Sequence, residues 1–356
     1  MRKIKRFLEC YVPISACNFR CSYCYVTQNK WWDRKTPDMS NVSGNIEKYL
    51  TQEKFGGPCM VNLCATGETL LGVYSVGIIK SFLKNGHYVM VVTNGTLTDK
   101  MEECCDFPKE YRDRLFFKIS YHYLELKRKN WLEKFYSNIK MIHKAGISFT
   151  VELTPDDEYI EYIDEIKESC LKNLGALCHI TVPRDERKEG FPLMTSLSRE
   201  DFVKTWSVFD STLFSFKESI FEKKRNEYCY AGKWSYTIDL ISGRYARCYR
   251  GGALGNLYND EEIIESAIGC NCPEGHCFNG HAFLGFGLIP QMKTPLYLEM
   301  RDRVNDKGEH WIKATMAQAM ESKLCEMNKK DGVGKKLKQS KILRKIYSKV
   351  ISVIKR

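Results

Sequence analysis

Short apolar runs alternate along the first half of the chain with longer stretches whose apolar residues recur every three or four positions. The runs 7–14, 60–64, 88–92, 115–119, 148–153 and 177–182 predict β-strands. The periodic stretches 45–52, 76–85, 131–145 and 159–174 predict helices, and Gly86 and Gly146 stand where helix C-termini need a left-handed residue. Strand followed by helix, six times over, predicts a parallel sheet with right-handed crossovers. Six units fall short of the eight of a closed barrel, so the expected fold is α/β, a partial (β/α)6 barrel over residues 1–184. Residues 185–228 read as a helical bridge. Residues 229–290 are rich in Gly, Cys and aromatics and read as a small separate module. Residues 291–356 read as a helical tail.

Composition narrows the classes. The chain has 356 residues and no apolar run near the ~18 residues of a membrane span. The N-terminus is basic but lacks a signal-peptide pattern, so a cytoplasmic location is expected. Sixteen cysteines in a reducing compartment point to metal or cluster ligation rather than disulfides. Cys10, Cys59, Cys64, Cys104, Cys105, Cys170, Cys178 and Cys325 have no ligand spacing and read as small core residues. The net charge is +11, but 335–356 carries nine Lys or Arg and no acid, leaving +2 for the remainder. Nucleic-acid binding by the body of the protein is not indicated. In that tail Ile342, Leu343, Ile346, Tyr347, Val350, Ile351 and Ile354 share one helical face. It suits a peripheral contact with an anionic membrane, at the inner face, as well as an ordinary docked helix.

The chemistry starts after the first strand. Cys17, Cys21 and Cys24 form a C-x-x-x-C-x-x-C loop with Tyr23 before the last thiol. A 4Fe–4S cube takes four ligands, so three thiols leave one iron open. The second strand ends in Thr66-Gly67-Glu68, the third in Asn94-Gly95, the fourth in Ser120. This order of motifs on successive strand ends resembles the radical S-adenosylmethionine (SAM) superfamily. The resemblance implies that Cys17, Cys21 and Cys24 hold a SAM-binding 4Fe–4S cluster. It implies cofactor contacts at Tyr23, Thr66, Gly67, Glu68, Asn94 and Ser120, with Glu68 facing the SAM amino group and Ser120 the ribose. Thr66 replaces the family's first glycine, and Tyr121-His122 replaces the usual acid and glycine. Glu152 reads either as a contact or as a paired core carboxylate.

A second group, Cys229, Cys248, Cys270, Cys272 and Cys277, follows a C-x13-G-x4-C start with Gly243 at a hairpin turn. It resembles the SPASM/Twitch module of related enzymes and implies one auxiliary 4Fe–4S cluster, with Cys270 and Cys272 competing for one position. A zinc ribbon is the alternative. Sulfatase-maturating relatives carry an acid after the cysteine matched by Cys248; Tyr249 stands there in this chain. No catalytic acid or base is named by the sequence.

The expected function is reductive cleavage of SAM and hydrogen-atom abstraction by an oxidoreductase-type enzyme. The substrate is expected to be a small polar or carbohydrate-like metabolite that is oxidised or epimerised, since the barrel starts near Phe7 with no fused leader-peptide domain. A maturase of a ribosomally made peptide is the alternative; a non-catalytic iron–sulfur or zinc protein is a second. A flavodoxin or ferredoxin would supply electrons.

Overall fold

The computed structural model describes residues 3–32, 37–249, 251–277 and 280–328. Six strands run parallel: β1 (Arg6–Val12), β2 (Cys59–Ala65), β3 (Tyr88–Thr93), β4 (Leu115–Ser120), β5 (Ser148–Leu153) and β6 (His179–Ile180). They lie in the order β6-β5-β4-β3-β2-β1, each paired with its sequence neighbour. β1 stops at Val12 because Pro13 has no N–H to give the ladder. The helices Val42–Tyr49, Ser75–Lys84, Thr98–Cys105, Leu132–Lys144 and Ile163–Leu174 fill the crossovers. The stretch expected as one helix from 159 begins instead as a 3-10 turn, Asp157–Tyr162, because the Asp156 carboxylate caps the Glu158 N–H.

The cysteine-rich region is joined to this sheet. β7 (Ser235–Asp239) pairs parallel with β1, and β8 (Arg244–Ala246) and β9 (Ala253–Asn256) follow antiparallel, giving nine strands. The edge that an incomplete barrel would expose at β1 is thereby covered. Gly243, at φ +72°, makes the turn between β7 and β8.

Alternation along the strands separates two cores. Leu8, Val61, Val89, Phe117 and Val151 face the crossover helices. Phe7, Met60, Met90 and Phe116 face inward and meet Phe283, Phe286, Tyr297, Met300 and Met316. Phe7 stacks on Phe286 with centroids 5.3 Å apart and meets Phe283 edge-on at 5.4 Å. Residues 291–328, expected as the start of a tail, carry helices Ala314–Glu321 and Leu324–Met327 and plug the barrel's inner face. Toward the C-terminal strand ends the inward positions turn polar: Glu9, Asn62, Cys64, Lys118, Ser120 and Glu152. No described helix is long and apolar enough to cross a membrane. The amphipathic stretch 335–356 lies outside the described residues.

Candidate active site

The C-terminal ends of β1–β4 open into a cavity of about 590 Å³. Cys17, Cys21 and Cys24 line it from the loop after β1. The loop is held by its own backbone, with the Cys24 N–H on the Cys21 carbonyl at 3.2 Å, and by Asn94, whose amide donates to Asn18 at 2.6 Å. Burial pushes the Cys17 thiol up to about 11, and pushes Cys21 and Cys24 up as well. Iron takes thiolates, so loading such a loop expels protons.

Thr66, Gly67, Glu68, Asn94 and Ser120 line the same cavity. A Cβ on Gly67 would stand 2.2 Å from the Ala16 carbonyl oxygen. The glycine therefore admits the cysteine loop's own backbone, whose Ile14 and Ala16 carbonyls accept from the Gly67 and Glu68 N–H groups. Glu68 is buried and accepts from the Leu70 N–H at 3.0 Å, the Thr93 hydroxyl at 2.6 Å and the Asn94 N–H at 2.7 Å. Burial still outweighs these bonds and raises its carboxyl. Three bonds leave one lone-pair site on the carboxylate, enough for a single ammonium hydrogen. The Thr66 carbonyl accepts from the Tyr25 hydroxyl at 2.9 Å, and its own hydroxyl meets Tyr11. The Ser120 hydroxyl has no hydrogen-bond partner among the described residues.

Tyr23 is placed differently from the other expected contacts. Its ring is buried against His122 and Tyr159, its hydroxyl lies 2.6 Å from His122 Nδ1, and it does not line the cavity; Tyr25 does. His122 also meets the Cys21 sulfur at 3.2 Å, and burial lowers it to about 4, so the imidazole is neutral. It buttresses the loop. Glu152 takes the core-carboxylate role and pairs with the wholly buried Arg301.

The second cysteine group separates. Cys229, Cys248, Cys272 and Cys277 line one small apolar cavity of about 60 Å³, with Ala231, Ile268, Phe283, Leu284 and Ile289. Cys270 is exposed and outside it. Burial raises Cys229 to about 11 and Cys277 further, and the neighbouring thiols add to both. Among the described residues no three His, Cys, Asp or Glu converge on one point, at this group or at the Cys17, Cys21 and Cys24 loop. A cube spreads its cysteines over several irons. Tyr249 lines both cavities and hydrogen-bonds Glu9.

Sequence reasoning missed Glu9, Lys118 and Cys64. Glu9 accepts from Asn62 at 2.7 Å and from the Cys64 thiol at 3.2 Å, and burial raises its carboxyl. Cys64, expected as core, lines the cavity. The available signal was a charge inside an otherwise apolar strand, since charged residues are almost never fully buried unless paired or functional.

A family model described as the radical SAM superfamily matches residues 11–170. That part of the chain is a radical SAM domain, and its family implies a 4Fe–4S cluster and SAM. No curated protein matches the chain. Among solved structures, SuiB of Streptococcus suis bound to S-adenosylmethionine is 14% identical with a TM-score of 0.48. The match covers 72% of this chain and 64% of SuiB, so the chain spans less than two thirds of that protein's length. Native anSMEcpe with bound AdoMet is 14% identical, with 83% and 88% of the two chains covered and a TM-score of 0.49. BtrN in complex with AdoMet and 2-DOIA is 13% identical, with 74% and 85% covered and a TM-score of 0.33. Likenesses of this size carry nothing about substrate.

Proposed function

We propose that the chain is a radical SAM enzyme acting on a small polar substrate, which it oxidises or epimerises. Cys17, Cys21 and Cys24 would hold the SAM-binding cluster. Thr66, Gly67, Glu68, Asn94 and Ser120 would receive SAM. Cys229, Cys248, Cys272 and Cys277 would hold one auxiliary 4Fe–4S cluster. The observation that carries the reading is that the loop thiols and all five of those strand-end residues face one cavity. The donor set fits the groups: three thiols on one loop, a carboxylate with a remaining lone pair, and a hydroxyl with no partner among the described residues. Bound together, cluster and SAM supply hydrogen-atom abstraction.

The chain's own residues supply the rest. Phe19, Trp31, Trp32 and Tyr25 line the cavity with aromatic rings. Asn94 and Asn18 hold the cysteine loop against the end of β3. Glu9, whose burial favours the protonated form, and Tyr249 both line the cavity, where they would hydrogen-bond the substrate. A flavodoxin or ferredoxin would donate electrons. Residues 1–184 would serve as the barrel, 185–228 as its bridge and 229–290 as the auxiliary module.

Iron analysis tests the auxiliary site. Full anaerobic reconstitution should give about eight irons per chain, and about four after Cys229 and Cys248 are changed to Ala. SAM cleavage should persist in that variant while substrate turnover fails. Stoichiometric zinc with about four irons in the unmodified protein would replace the auxiliary cluster with a zinc site.

A further inference from the structure

We propose that the cavity binds an anionic group of the substrate, a carboxylate or a phosphate, at Lys118 and His281, with the charge of Lys217 behind them. The inference takes this cavity to be the substrate chamber of the reading above.

Four cations gather where β4, β5 and β6 meet the plug. Lys118 lines the cavity from β4. Its cross-strand neighbour Thr150 donates to the Arg301 carbonyl at 2.8 Å, which holds Arg301 close by. Arg184 lines the cavity from the segment after β6. Lys217 comes from the helix Thr212–Ile220, which is fastened to β6 where the Ile180 N–H donates to Ser211 at 3.1 Å. Arg184, Glu152, Arg301 and Lys118 all act electrostatically on Lys217.

The acids account for only part of this charge. Arg301 pairs with Glu152, and Arg184 pairs with Glu186 at 2.6 Å. Glu9 spends its carboxylate on Asn62, Cys64 and Tyr249, and its burial favours the neutral form. Lys118 and Lys217 are left without a hydrogen bond or ion pair among the described residues. His281 adds an independent sign. It is 8% exposed, it lines the same cavity, and its Nδ1 is buried with no partner among the described residues. Burial, then Lys217, Arg301, Lys118 and Arg184, keep its ring neutral and able to donate one N–H.

Interior ammonium groups without counter-charge are costly, and residues held in that condition mark binding sites. An incoming anion has the oxygens to take Lys118 and the imidazole together, while Lys217 adds attraction through its charge. Burial and the neighbouring cations push the Lys217 amine down to about 7, a strain that a bound anion would relieve.

Competitive lysine labelling tests this. Reconstituted protein is treated briefly with acetic anhydride, alone or with inorganic phosphate, succinate or SAM, and each lysine is read by peptide mass spectrometry. Phosphate or succinate at saturation should slow acetylation of Lys118 and Lys217 by roughly fivefold or more. Lys109, paired at the surface with Asp113, should be unchanged. Protection by phosphate alone or by succinate alone assigns the anion. Absence of protection by both overturns the proposal, and so does full protection by SAM alone, which would assign the lysines to the cofactor's carboxylate. Reductive cleavage of SAM in the same preparation reports separately on the radical reading. Cleavage without protection removes only the anion site; protection without cleavage upholds the site and removes the radical reading.

Discussion

Replacing Glu152 with Ala should destabilise the protein far more than loss of a surface charge would. Glu152 sits on β5 opposite Ser120, and Arg301, 0% exposed, reaches it from the plug. Burial pushes the Glu152 carboxyl up, but Arg301 and Lys118 outweigh it and hold the carboxyl below the ordinary range. The pair is therefore ionised at neutral pH. Removing one partner of such a pair costs about 3–5 kcal/mol, because the other charge stays buried. Glu152 is 8% exposed and stands opposite Ser120 at the cavity edge, so solvent can partly replace it, which places the loss near the lower figure. It also leaves Lys118, Lys217 and Arg301 with less counter-charge, which works against that relief. At about 2 °C per kcal/mol, the low end for a large domain, the melting temperature should fall by roughly 6 °C or more. Exchanging Glu152 and Arg301 together for Leu should recover most of the loss, since apolar replacement of a buried pair is often neutral. Anaerobic thermal and urea melts of Glu152→Leu, Arg301→Leu and the double Leu variant close the cycle. A loss under about 1 kcal/mol for Glu152→Ala, the value of an exposed pair, would refute the reasoning.

Gly67→Ala should displace the cysteine loop, because its Cβ would meet the Ala16 carbonyl at 2.2 Å. Iron should fall from about eight to about four per chain while circular dichroism is unchanged; full iron retention would show that the loop can move aside. Deleting 335–356 should weaken binding to anionic vesicles at low salt and spare SAM cleavage, and a full-length protein that ignores such vesicles would end the membrane idea.

The strand–helix order was legible because parallel strands covered on both faces read as apolar runs, as 115–119 and 148–153 do. The cysteine loop was legible because its three ligands lie within eight residues. The pairing of β7 with β1 was not, because the two strands lie more than two hundred residues apart and no local pattern encodes their register. The plug was read as a tail for the same reason: Tyr297 and Met300 find their partners on distant strands. Cys270 and Cys272 have equal claims by spacing, and only the turn that exposes Cys270 separates them. Cys64 looked like a core thiol because strand alternation cannot tell a packed interior face from one that opens on a chamber.

The central claim is that the thiols of Cys17, Cys21 and Cys24 hold the cluster that cleaves SAM. The direct measurement is 5′-deoxyadenosine formed by the anaerobically reconstituted protein with dithionite and SAM. It should appear with the unmodified chain and with the Cys270→Ala control. It should vanish when all three loop cysteines are changed to Ala, with iron still bound at the second cysteine group. Equal 5′-deoxyadenosine from the triple variant would contradict the account.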